Sequence, residues 1–229
     1  MPKRSQVTRR LRKIFALFPV LLCLAPGIAE AGGKPGKFAY YVLALSWSPT
    51  YCETDGRGRK DAQCAGTRPY AFVLHGLWPQ YAKGWPDRCD TGKKPWVPRE
   101  VIDSMLDIMP ARGLVIHQYK KHGTCSGLSP KDYFALSRAL FEQVRIPARY
   151  LTPRQYETIS PRQIENEFLK ANPDLEPEMI AIACGNQRRL REIRVCFSRD
   201  RKPVPCGANE AQPKLCKLDK VVMPPVRGN

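Results

Sequence analysis

Eight cysteines, Cys52, Cys64, Cys89, Cys125, Cys184, Cys196, Cys206 and Cys216, constrain what this chain can fold into more than any other feature. The sequence holds nine in all. The ninth, Cys23, falls in an N-terminal stretch that reads as a cleaved leader. Lys3, Arg4, Arg9, Arg10, Arg12 and Lys13 make a basic n-region, Ile14 to Ile28 is mostly apolar, and Ala29-Glu30-Ala31 fits a small-x-small cleavage site. The apolar run is short and interrupted by Pro19 and Pro26, which disfavours a spanning helix. Arg9-Arg10 and Cys23 raise twin-arginine and lipoprotein readings, but the residues around them match poorly. Cleavage after Ala31 leaves residues 32–229 with an even set of cysteines. In an exported chain that argues for four disulfides formed in an oxidising compartment. Eight cysteines allow roughly a hundred pairings, so spacing alone does not choose among them.

The whole chain carries a formal charge of +17. Loss of residues 1–31 removes six basic residues and one acid, which leaves 32 basic against 20 acidic residues, or +12. That balance favours a polyanionic partner, although a basic surface kept for solubility has the same composition. The mature length suits one domain with a sizeable core. No Asn-x-Ser/Thr sequon is present, which leans towards a bacterial periplasmic setting.

Hydrophobic patterning gives an α+β domain whose sheet is drawn from both ends of the chain. Phe38 to Trp47 is apolar almost throughout and reads as a strand buried on both faces. Residues 53–69 read as an exposed loop that Cys52 and Cys64 can close. Ala71 to Leu77 is a second strand, which Pro79 is expected to stop. Residues 82–98 form a long loop, and Arg99 to Met109 resembles a short helix. Ser129-Pro130 and Ser160-Pro161 are helix starts, the second with Gln163 in a capping box. Met179 to Cys184, Leu190 to Phe197 and Lys214 to Met223 read as strands.

Histidines number only three, and they fall in two short segments. His75 lies in FVLHGLWPQ, and His117 and His122 lie in IHQYKKHGTC. If residues 114–123 form a regular helix, His117, Gln118, Lys121 and His122 cover an arc of roughly 140°, with His117 over Lys121 and Gln118 over His122. Two imidazoles, an amide and an ammonium on one face suit a phosphate ester. Two histidines can split RNA without metal or other cofactor, one removing the 2′-OH proton and the other protonating the departing 5′-oxygen. Lys121 and His117 would stabilise charge on the phosphate oxygens, and Gln118 could donate its amide. Duller readings exist: a structural hydrogen bond for His75, a solvated face for Lys120, core positions for Trp78 and Tyr119. A zinc site is disfavoured, because there is no Cys-x-x-Cys and His117 and His122 diverge at i, i+5.

These residues carry a resemblance. His75-Gly76-Leu77-Trp78-Pro79 and His117-x-x-x-Lys121-His122-Gly123-Thr124-Cys125 are similar to the two active-site motifs of the ribonuclease T2 family. LALSWSPTYC at 43–52 is similar to a stretch near those enzymes' mature N-termini. The resemblance implies an α+β fold with a central antiparallel sheet, stapled by disulfides. It also implies metal-independent endoribonuclease activity through 2′,3′-cyclic phosphates, with little base preference. It makes His75 the general acid and His122 the general base, with His117 and Lys121 on the phosphate. Trp78, Gln80 and Tyr119 become candidates for contact with the substrate. It further implies a Cys89–Cys125 disulfide, and Cys52–Cys64, Cys184–Cys216 and Cys196–Cys206 for the rest. Three positions depart from the family's usual residues: Gln118 stands where Glu is common and Tyr119 where Trp is common. Gln80 follows Pro79 where Asp or Asn is frequent.

The expectation is therefore a monomeric periplasmic or secreted ribonuclease that acts on RNA. It needs no cofactor, no obligate protein partner and, after leader cleavage, no membrane. The competing classes are a non-catalytic polyanion or RNA binder on the same scaffold and a metal-dependent phosphodiesterase.

Overall fold

The computed structural model describes Met1 and residues 32–58, 62–66 and 68–227. Apart from Met1, the leader and its cleavage site lie outside the described residues. The elements in order are β1 (Tyr40–Trp47), α1 (Ser48–Glu53), α2 (Ala62–Ala65), β2 (Phe72–Gln80), α3 (Arg99–Asp103) and α4 (Arg112–Gln118). A π-helical turn (Tyr119–Gly123) and a single turn α5 (Thr124–Ser126) follow directly. Then come α6 (Pro130–Gln143), β3 (Glu157–Ile159), α7 (Pro161–Ala171), β4 (Ile180–Cys184), β5 (Leu190–Phe197), α8 (Gln212–Leu215) and β6 (Val221–Met223). The architecture is α+β. An antiparallel sheet in the order β2-β1-β5-β4 sits under the helices, beside a two-stranded β3-β6 sheet.

The two faces of the main sheet differ because side chains alternate along each strand. One face presents Leu43, Leu45, Leu77, Ile193 and Val195, all buried. Against it pack Tyr133, Phe134 and Leu140 of α6 and Ile164 and Phe168 of α7. Each such side chain contributes about 1.5–3 kcal/mol on burial. The other face has small residues where strands pair, Ala44 opposite Gly76 and Arg194, and Ala181 opposite Arg194. That opens room for larger polar side chains. Both long helices are N-capped where their sequences predict, Ser129 Oγ accepting from the Asp132 amide and Ser160 Oγ from the Gln163 amide, while the Gln163 side chain donates to Glu167 instead of closing a capping box.

β2 runs through Pro79 to Gln80 instead of stopping before it. It is an edge strand with one neighbour, so the missing proline amide leaves no second ladder unmatched. The expected strand over 214–223 is instead the short helix α8, opened by Pro213, followed by three residues of β6. Its partner β3 is too short to leave an alternating pattern. The helix expected over 99–109 is helical only to Asp103, and turns carry the chain on to buried Met105 and Met109.

All four disulfides pair as the resemblance implies: Cys52–Cys64, Cys89–Cys125, Cys184–Cys216 and Cys196–Cys206. The Cys89–Cys125 bridge closes a sequence separation of 36 residues. In the chain-entropy description a loop of that length contributes roughly 3–4 kcal/mol.

Candidate active site

His75 owes its position to an irregularity in the sheet. Ala44 pairs with Gly76 and Leu45 with Leu74, so His75 is the extra residue of a β-bulge in β2. Such bulges re-aim a side chain without ending the ladder. The His75 imidazole meets the buried carboxylate of Glu192 on β5, Nδ1 lying 2.9 Å from Oε2. Its edge stands against Trp78, ring centroids 5.1 Å apart.

His122 is placed by the π-turn. The regular helix expected over 114–123 ends at Gln118, and the Thr124 amide then donates to Tyr119 O, five residues back. The wider turn changes the spacing of the side chains within it, and His117, Gln118, Lys121 and His122 line one cleft. Gly123 lets the turn close, since a Cβ there would enter the Tyr119 ring. His122 lies buried beside Trp78, with centroids 5.4 Å apart, and its Nδ1 has no hydrogen-bond partner. Burial first, and then the charges of Lys121, His75, His117 and Arg88, push the His122 pKa down to about 3. His117 is exposed and lowered too, by partial desolvation and then by Lys121 and Arg88.

Trp78 sits between the two histidines as a wall of the site. Its Nε1 donates to Gln118 Oε1 at 2.8 Å, and the Arg194 guanidinium lies 5.0 Å from its ring centroid. Gly76 is required by this packing, because a Cβ would come within 2.6 Å of Trp78 Nε1 and would overlap the Gln118 amide. His75, Trp78, Gln80, His117, Gln118, Lys121 and His122 all line one cleft of about 590 Å³. A larger hollow of about 970 Å³ opens from the same His75–His117 edge on the side of Ala111 to Leu114 and Asn186. The cleft is thus a channel past two imidazoles rather than a closed pocket. The disulfide from Cys89 and the Arg88 amide, which donates to Lys121 O at 2.9 Å, fasten the 82–98 loop to the histidine-bearing segment.

The ribonuclease T2 family model matches residues 38–206. The chain belongs to the ribonuclease T2 family. Among relatives, a protein named ribonuclease from Aeromonas hydrophila is 40% identical over 147 residues, 61% of this chain and 62% of that one. A probable ribonuclease from Haemophilus influenzae is 32% identical over 58% of this chain and 54% of its own length. The matched stretch thus spans less than two thirds of either relative. Ribonuclease I of Escherichia coli K12 is 27% identical over 83% of this chain and 86% of its own length. Two solved structures share the fold. Trichomaglin, described as an S-like ribonuclease, superposes with a TM-score of 0.66 at 22% identity, over 83% of this chain and all of its own. RNase NT in complex with 5′-AMP gives 0.61 at 22% identity, over 82% of this chain and 98% of its own.

One reading of T2-like residues needs correction. Tyr119 does not face the cleft. It is buried against Tyr133 and Phe134 in the main core, and its hydroxyl donates to Leu128 O, so the π-turn commits it to packing. Gln118 lines the cleft but is buried, with its carbonyl oxygen taken by Trp78. It orients the indole. The polar residues of β5 escaped the sequence reading. Glu192 and Arg194 stand two apart in LREIRVCF, the spacing that puts both on one face of a strand, opposite the buried Ile193 and Val195. That alternation was the available signal.

Proposed function

We propose that this chain is a metal-independent endoribonuclease that cleaves single-stranded RNA by transesterification, with little base preference. One observation carries the reading: two histidines of unlike environment flank Trp78 in a single cleft. His122, held neutral by burial, is suited to accept the ribose 2′-OH proton. The 2′-oxygen then attacks phosphorus, the P–O5′ bond breaks, and His75 protonates the departing 5′-oxygen, leaving a 2′,3′-cyclic phosphate. Lys121 and His117, which line the same cleft, would offset charge on the non-bridging oxygens. Trp78 and Gln80 border the base. DNA lacks the 2′-nucleophile and is not a substrate. The family's relatives named ribonuclease support this activity. The basic composition and the disulfides fit an exported, periplasmic or secreted enzyme acting as a monomer. No helix among the described residues is long and apolar enough to cross a membrane.

The test uses residues 32–229 with disulfides formed, mixed-sequence RNA and excess EDTA. The expected result is RNA cut to cyclic ends, DNA intact, and activity in His75→Ala and His122→Ala reduced about 10²-fold or more. Intact RNA at every pH, with RNA binding retained, would replace the enzyme by a polyanion-binding protein.

A further inference from the structure

The buried carboxylate of Glu192 is spent on a histidine, and its two oxygens are divided. Oε2 meets His75 Nδ1 at 2.9 Å. Oε1 accepts from Arg194, at 3.0 Å from Nε and 2.8 Å from Nη2, and from Arg191 Nη2 at 3.3 Å. A carboxylate engaged at both ends cannot rotate freely, so it fixes the plane of the ring it touches. Arg194 is itself fixed, by the carboxylate of Glu210 at 3.4 Å and by the face of Trp78. Burial works to raise Glu192, but His75, Arg194 and Arg191 outweigh it and hold the carboxyl below its ordinary range. An ionised carboxylate only accepts hydrogen bonds. Nδ1 of His75 therefore carries a proton, and Nε2 is the nitrogen left for a substrate. Among the described residues this is the only ion pair that reaches a histidine. His122 has no such partner, and Gln118, at the position where relatives often place a carboxylate, is uncharged.

We infer that Glu192 is the positioning residue of this site, a β5 carboxylate that holds the His75 ring and offsets its charge so that Nε2 can deliver a proton to the 5′-oxygen. The inference rests on the proposed role of His75 as general acid. The proton balance is simple. His122 gains the 2′-OH proton as the 2′-O–P bond forms, and His75 Nε2 loses one to the 5′-oxygen as the P–O5′ bond breaks. Glu192 stays on Nδ1 throughout and keeps Nε2 as the nitrogen free for the substrate. The alternative is that Glu192 only neutralises Arg194 and Arg191 within the fold.

Leaving-group dependence separates these roles. A dinucleoside phosphate expels an alkoxide that needs the proton, whereas uridine 3′-(4-nitrophenyl phosphate) expels a phenolate that does not. Glu192→Gln is expected to slow the dinucleotide at least about tenfold while leaving the aryl ester within about threefold. In a His75→Ala background it should cost nothing further on either substrate. The ratio of the two rates does not depend on the folded fraction, so partial misfolding does not hide the answer. Equal losses on both substrates, or a full loss persisting without His75, would overturn the inference. His75→Ala alone slowing both substrates alike would instead remove the acid role itself, and Glu192's role with it.

Discussion

His75 and His122 stand on either side of one indole, yet the fold treats them in opposite ways. His75 sits in a bulge of an edge strand, partly open, with an ionised carboxylate on one nitrogen. His122 sits in a π-turn, buried, with cations for neighbours and no partner on Nδ1. The first environment gives the ring a charged hydrogen-bonding partner, and the second keeps the ring neutral. A pair of identical side chains is thus divided into acid and base by what surrounds them, which follows from the way burial and neighbouring charge select a protonation state.

Four experiments would break or sharpen that contrast. Removing either imidazole has the largest expected effect. His75→Ala and His122→Ala should each lower kcat about 10²- to 10⁴-fold on RNA, the usual weight of general acid–base catalysis. If one of them proved nearly silent, the division of labour would be wrong. Next comes the wall between them. Gly76→Ala forces a Cβ against Gln118 and Trp78 and should destabilise the protein by about 1–3 kcal/mol, read as a lower Tm, with a loss of activity larger than the unfolded fraction explains.

The third experiment is pH dependence. An unfolded histidine titrates near 6.5 and His122 in the fold near 3, so the unfolded chain binds more protons between those values. Stability from this group is fully present above about pH 6.5. It is lost at up to about 1.4 kcal/mol per unit as pH falls towards 3. Urea melts from pH 7 to 4 should show that slope, reduced in His122→Asn. The same shift predicts that kcat/KM holds up in mild acid, because the base stays neutral there. Gln118→Glu, which restores the family's usual carboxylate beside Trp78, should move the acid limb or the rate. An unchanged profile would make Gln118 purely a prop for the indole.

The smallest effect is expected away from both histidines. Tyr119→Phe removes one hydrogen bond to Leu128 O and should cost about 1 kcal/mol of stability. KM and kcat on RNA should stay within error. A raised KM would return Tyr119 to the substrate side.

Much of the molecule was legible before its structure because its signals are local. Two strongly apolar strands, two Ser-Pro helix starts and the clustering of His75, His117 and His122 all sit within short windows. The disulfide pairing came through resemblance, since spacing leaves it open. What escaped depends on distant partners. Pro79 looked like a stop because sequence does not say that β2 is an edge. Tyr119 faced the wrong way in expectation because a π-turn leaves no mark in apolar periodicity. Glu192 and Arg194 belong to a strand more than a hundred residues from His75, and only the sheet order brings them beside it.

The π-turn also makes this segment sensitive to length. Side chains between His117 and Cys125 can change and leave the path of the backbone intact. Deleting Lys120 would convert the five-residue turn into an ordinary helical one, leaving Thr124 bonded to Tyr119 O but turning His122, inside the turn, away from its present direction beside Trp78. Along this stretch the chain should therefore diverge by substitution while its residue count stays fixed.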